Sequence, residues 1–154
     1  DEFFEDSFRP VTNDANILLL DSPLSALKMA THVSEKVHEL GWFVRLGIYE
    51  TQKKLPLLVL LNQANLRSSD LYAICSRIMD SANPTKNSIK KEFPEIKENK
   101  NESVVYLDEC TKDRILNSGD KGTSIKDKNF EYLSVILPNG RSLPKEIEVW
   151  RFHP

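Results

Sequence analysis

The sequence predicts an α/β protein, bordering on α+β, with a mixed sheet and two main helices in a single domain. Three observations lead there. The segment SPLSALKMATHVSEKVHELG (22–41) has helical spacing with a start and a stop signal, and WFVRLGIYE (42–50) follows it at once with period two. ANILLLD (15–21) and LPLLVLLNQ (55–63) are apolar without alternation, as strands covered on both faces are. A second amphipathic helix and several later strand-like runs complete the pattern.

In chain order, residues 1–14 form an acidic tail or edge element carrying Phe3, Phe4 and Phe8. Residues 15–21 are a candidate buried strand. Ser22 is placed to cap the helix, Pro23 stands at its first position and Gly41 ends it. Ala26, Met29, Ala30, Val33, Val37 and Leu40 make its apolar stripe; Lys28, His32, Glu35, Lys36 and Glu39 fall on the other side. In 42–50, Trp42, Val44, Leu46 and Ile48 alternate with Phe43, Arg45, Gly47 and Tyr49. Only TQKK separates this run from 55–63, too little for a parallel crossover. The reading is a strand, a short loop and a strand: an antiparallel hairpin, or strands in adjacent parts of one sheet. A third option ends the first run early and places a helical turn at 50–54. Ser68 or Ser69 caps the second helix, with Leu71, Ile74, Cys75, Ile78 and Met79 as its stripe. This gives a β-α-β-β-α start, which one more strand would complete as a ferredoxin-like fold.

Residues 83–103 break the globular texture, with five Lys, four Glu, two Pro and four Asn, and read as a charged surface loop or flexible insertion. VVYLDE (104–109) resumes as a strand, CTKDRILNSG holds a short helix and GDKGTSIKDKN is a polar linker. FEYLSVILPNGRSLPKEIEVWRF closes the chain with two strands around a Pro-Asn-Gly turn. Because 17–20 and 57–61 look covered on both faces, the C-terminal third, or a partner, must pack back on the sheet. The order strand, long helix ending in Gly41, strand over roughly 15–62 is similar to the anticodon-binding domain of class II tRNA synthetases and its non-synthetase relatives. The resemblance implies a shape and carries no functional residue. The helix that family has before its LPLLVLL-like strand is missing here.

Composition narrows the function classes. At 154 residues and 40% apolar content the chain can bury a core, and a net charge of −2 excludes a general electrostatic grip on nucleic acid. No apolar run reaches the length of a bilayer span, so no membrane partner is expected. DEFFEDSF does not read as a secretory signal, and the missing initiating Met fits a piece of a longer protein. Two cysteines, Cys75 and Cys110, make neither a disulfide framework nor a metal site, which points to the nucleus or cytoplasm.

Catalytic motifs are sparse. His32, Glu35 and His38 are helical neighbours in steps, but the two His lie about 120° apart around the helix and read as a solvated face. GDKGTS (119–124) lacks the terminal Gly-Lys-Ser/Thr of a phosphate loop. Cys75 reads as inert core, and Asp108 and Glu109 before Cys110 would raise its pKa. Asp21 ends a strand where α/β proteins place functional acids, or caps the helix; paired with Asp108 it would suit a metal only if their strands were parallel neighbours. No catalytic residue, metal or cofactor is assigned. Phe43, Arg45 and Tyr49, with Lys90 and Lys91 of the insertion, form a candidate RNA-stacking platform, or ordinary cover under the C-terminal segment. Ile89, Phe93 and Ile96 in a charged segment, and Phe3, Phe4 and Phe8 in the acidic tail, suit docking, either on a protein partner or on the chain's own sheet. The expected role is a non-catalytic protein-interaction module of a larger intracellular assembly. An RNA-binding module and a metal- or nucleotide-dependent enzyme are the alternatives.

Overall fold

A computed structural model describes residues 8–10, 16–51, 68–118 and 124–154. Among these the elements are β1 (Phe8–Pro10), β2 (Asn16–Leu18), α1 (Pro23–Glu39), β3 (Arg45–Ile48), α2 (Asp70–Met79), β4 (Asn87–Ile89), β5 (Val104–Asp108), α3 (Glu109–Leu116), a 3-10 turn (Asp127–Asn129), β6 (Phe130–Pro138) and β7 (Ile147–Phe152). Five strands form one mixed sheet in the order β3-β5-β7-β6-β4. β3 and β5 run parallel, and the other neighbours are antiparallel. The expected mixed sheet in a single α+β domain is what forms.

The sheet is covered on both faces. Val104 and Tyr106 of β5 face one cluster, with Ile74 and Ile78 of α2, Ile96, Ile136, Ile147 and Val149. Val105 and Leu107 face the other, with Leu27 and Ala30 of α1, Ile48, Ile115 of α3, Phe130 and Phe152. VVYL is therefore a strand buried on both faces, and period two assigns its residues alternately to the two layers. The C-terminal strands do not pack over the sheet, as expected from the sequence; they enter it, and the helices provide the cover.

Two further expectations are corrected. The strand predicted over 15–21 is limited to Asn16–Leu18 and pairs antiparallel with β1, Phe8 opposite Leu18, in a separate two-stranded ribbon. Ile17 and Leu18 are only partly buried, so this strand is not a central one, and among the described residues it does not join the five-stranded sheet. The strand expected at 55–63, its hairpin, and Phe3 and Phe4 lie outside the described residues.

In α1 the Ser22 cap and Pro23 stand as expected, the Ser22 hydroxyl accepting from Ser25 N–H at 3.1 Å. The buried side, however, centres on Leu24, Leu27 and Ala30, about a quarter of a turn from the apolar stripe. The hydroxyls of Thr31 and Ser34 donate to the carbonyls of Leu27 (3.0 Å) and Ala30 (2.8 Å), so these polar residues are tolerated beside the core. Leu40, at the end of the stripe, is 76% exposed.

One close approach sets the distance between α2 and the sheet. A Cβ at Gly47 would lie 2.8 Å from the Cys75 carbonyl oxygen and 2.8 Å from Cβ and N of Met79. The Cys75 thiol donates to the Gly47 carbonyl at 3.3 Å across the same contact. Because the obstacle is helix backbone, a side chain here must push α2 off β3. Gly47→Ala should cost about 1–3 kcal/mol in urea unfolding; wild-type stability would contradict this packing.

Candidate interaction surface

The segment read as a charged surface loop or flexible insertion, 83–103, adds a three-residue strand to the sheet edge and sends Ile96 into the core. Asn83 starts it: its side-chain oxygen accepts from Thr85 N–H at 3.0 Å and its carbonyl from Asn87 N–H at 3.0 Å. β4 then adds to the sheet edge, with Asn87 opposite Pro138 and Ile89 opposite Ile136. Flanking bonds extend the pairing, Asn139 N–H to the Lys86 carbonyl (3.0 Å) and Lys90 N–H to the Val135 carbonyl (3.1 Å). Phe93 N–H turns back on the Lys90 carbonyl (3.0 Å), Pro94 follows, and Ile96 enters the α2-side core at 9% exposure. The segment is rich in charge because its outer side faces water. Its apolar positions, Ile89 and Ile96, complete cover that a ten-residue α2 does not supply alone.

The fit is incomplete, and a groove of about 480 Å³ remains. Ser81, Ala82 and Pro84 line it with β4, Lys90 and Lys91, and Phe93, Glu95 and Ile96 line it after the turn. Asn87 is 2% exposed; its amide nitrogen donates to the carbonyls of Arg77 and Asp80, each at 3.0 Å, while its Oδ1 has no hydrogen-bond donor. Lys90 is held by Glu92 (3.0 Å) and Glu146 (3.4 Å), whose carboxylates raise its pKa. Lys91 is exposed and pairs with no carboxylate among the described residues. Phe93 also meets Tyr132 edge-on at 5.9 Å, and Tyr132 meets Trp150 at 5.0 Å. The Lys112 ammonium lies 3.7 Å from the centre of the Trp150 ring.

The structure does not assemble the stacking platform expected from Phe43, Arg45 and Tyr49. Arg45 and Tyr49 lie on the same side of β3 as Gly47, and α2 occupies that side. Arg45 pairs with Asp80 at 2.8 Å and Glu98 at 3.3 Å. Asp80, 4% exposed at its side chain, also binds Lys86, and Glu98 accepts from the Tyr106 hydroxyl at 3.0 Å. Tyr49 packs at the margin of the α2-side cluster. Phe43 is exposed, 5.9 Å from the His38 ring, near the exposed Leu40 and Trp42.

The acids are not brought together as a metal pair either. Asp21 is exposed and precedes α1 beyond β2, which pairs with β1; Asp108 ends β5, flanked by β3 and β7. Among the described residues no group of three or more His, Cys, Asp or Glu is placed to hold a metal ion. Asp108 accepts from the Thr111 hydroxyl, which accepts from Glu50 N–H at 3.1 Å, and Arg114 pairs with Glu50 at 3.0 Å. Burial raises the Asp108 carboxyl above its usual range, Thr111 opposes that rise, and Glu50 adds to it. This chain of contacts ties the end of β3 to the first turn of α3. The exposed Cys110 thiol is also raised, first by burial, then by Asp108, Asp113 and Glu109.

Residues 119–123 of GDKGTS lie outside the described residues, and His32, Glu35 and His38 are exposed. No helix among the described residues is long and apolar enough to cross a membrane. No protein family, curated protein or solved structure matches the chain.

Of the residues singled out in the sequence, the fold places Ile89, Phe93, Ile96, Lys90 and Lys91 close together. Asn87 beside them and Tyr132 against Phe93 were not singled out. Asn87 carries no pattern signal, and Tyr132 sits just before a strand irregularity that breaks the alternation of β6.

Three outcomes follow from these positions. Ile96→Ala should cost about 2–4 kcal/mol in denaturant unfolding, because it empties a core site, and Phe93→Ala should cost less; equal small effects would mean Ile96 is not core. Arg45→Ala should cost about 1–2 kcal/mol, since Asp80 keeps Lys86 but loses one of two cations; no loss in thermal unfolding would contradict the pairing. Burial, then Asp108, pushes the Cys75 thiol from 9.0 up to about 12. Between those values the unfolded chain releases a proton that the folded chain keeps, so stability falls as pH rises. The stability advantage of wild type over Cys75→Ala should shrink across that window, and a constant difference would show an ordinary thiol.

Proposed function

We propose that the chain is a non-catalytic protein-interaction module of a larger nuclear or cytoplasmic assembly, with the groove beside β4 as its contact. The observation that carries this reading is the groove itself. Ile89, Phe93 and Ile96 alternate with charges in one short segment, and that segment combines a buried anchor with a partly open aromatic wall. Interfaces are typically centred on such apolar and aromatic anchors within a charged rim. The engagement of Arg45 by two carboxylates counts against the RNA alternative, since it occupies the cation that the platform needed. The hydrogen bonding of Asp108 to Thr111 gives that acid a structural use.

The test is a comparison of wild type and Phe93→Ala as bait in nuclease-treated extract, with thermal unfolding as the control for folding. The reading requires a protein whose capture survives nuclease and drops about tenfold or more with Phe93→Ala, the size expected for an aromatic anchor. Capture that ignores the substitution, or that nuclease abolishes, would overturn it.

A further inference from the structure

We propose, resting on that interaction reading, that the groove takes a short extended segment of a partner protein, added as a strand to the outer edge of β4, with an acidic residue meeting Lys91. The pairing on the inner side of β4 fixes which main-chain groups are left. Lys90 N–H and the Lys86 carbonyl both bond toward β6, so residues 86, 88 and 90 direct their groups inward. The groups of Asn87 and Ile89 therefore point to the outer edge, where the sheet order places no further strand among the described residues. Asn87 N–H is taken by the Asn83 carbonyl, which leaves the Asn87 carbonyl and both groups of Ile89. These suit the main chain of one extended segment better than a helix, whose own groups are already used.

The side chains specify the occupant further. Asn87 is an almost fully buried groove residue with an acceptor, Oδ1, that no donor meets. Such an orphan costs free energy as long as no donor meets it. Lys90 is already neutralised by Glu92 and Glu146, whereas Lys91, among the described residues, is a lining cation left without a carboxylate. An acidic residue beside Lys91 supplies the missing charge. Side chains of an added strand alternate in direction, so an apolar residue two positions from that acid would fall on the same side, toward Phe93 and Ile89. The groove holds only a few residues, which matches the three-residue length of β4.

The test is selection of a random peptide display library on the intact protein, followed by synthesis of the enriched peptides with single N-methyl groups along the backbone. Strand addition predicts enriched peptides that carry Asp or Glu. It predicts binding weakened about tenfold by N-methylation at alternate positions only. Lys91→Glu should weaken the same peptides about fivefold, with unchanged thermal unfolding. Enriched peptides that bind through Phe93 but tolerate methylation everywhere, or lack acids, would overturn strand addition and leave the interaction module standing. No enrichment over Phe93→Ala would overturn both.

Discussion

Burial of β5 on both faces is the constraint from which the rest of the structure follows. A strand written Val-Val-Tyr-Leu cannot leave either side to water without exposing two large side chains. Each face must therefore be roofed. On one side α1 and α3 suffice. On the other, α2 is short and reaches mainly β3 and β5, lying so close that only glycine fits at 47. The sheet beyond it, at β6 and β7, needs cover from elsewhere. That cover is the charged segment after α2, which contributes β4 along the edge and Ile96 over the face.

The same economy explains where the open surface lies. A segment in which nine of 21 residues are charged can roof a core only at isolated apolar positions, so its seal against β4 is imperfect and a groove remains. Charges around the groove are mostly used internally. Asp80 gathers Arg45 and Lys86 at the end of α2, and Lys90 gathers Glu92 and Glu146. Such pairs position backbone more than they add net stability, because desolvation offsets much of their attraction. Lys91, Glu95 and the Asn87 oxygen stand out against this background, among the described residues, as groups whose interactions are incomplete.

The sequence was most legible where one physical rule acted alone. The caps at Ser22 and Ser69, the stripe of α2 and the strands around Pro138-Asn139-Gly140 follow from local hydrogen bonding and periodicity. Legibility failed where a polar residue belonged inside. Thr31 and Ser34 bond back to the helix and sit near the core, which displaced the buried side of α1 from its apolar stripe. It failed again at 83–103, where charge density concealed a strand of three residues and a single core isoleucine. The proposed docking residues Ile89, Phe93 and Ile96 were visible as apolar points in that segment, but composition could not separate the buried Ile96 from the open Phe93. Asn87 was invisible, because its importance comes from a burial that only the paired edge creates.

Amide hydrogen exchange across residues 86–104, followed by NMR, tests the central claim most directly. A folded β4 whose outer edge is free predicts slow exchange at Ser88 and Lys90, which bond to β6, and much faster exchange at Ile89 between them. Uniformly fast exchange through the segment would mean that it is the loose charged insertion its composition suggests, and neither the roof nor the groove would stand. Slow exchange at Ile89 as well would mean that the outer edge is already occupied.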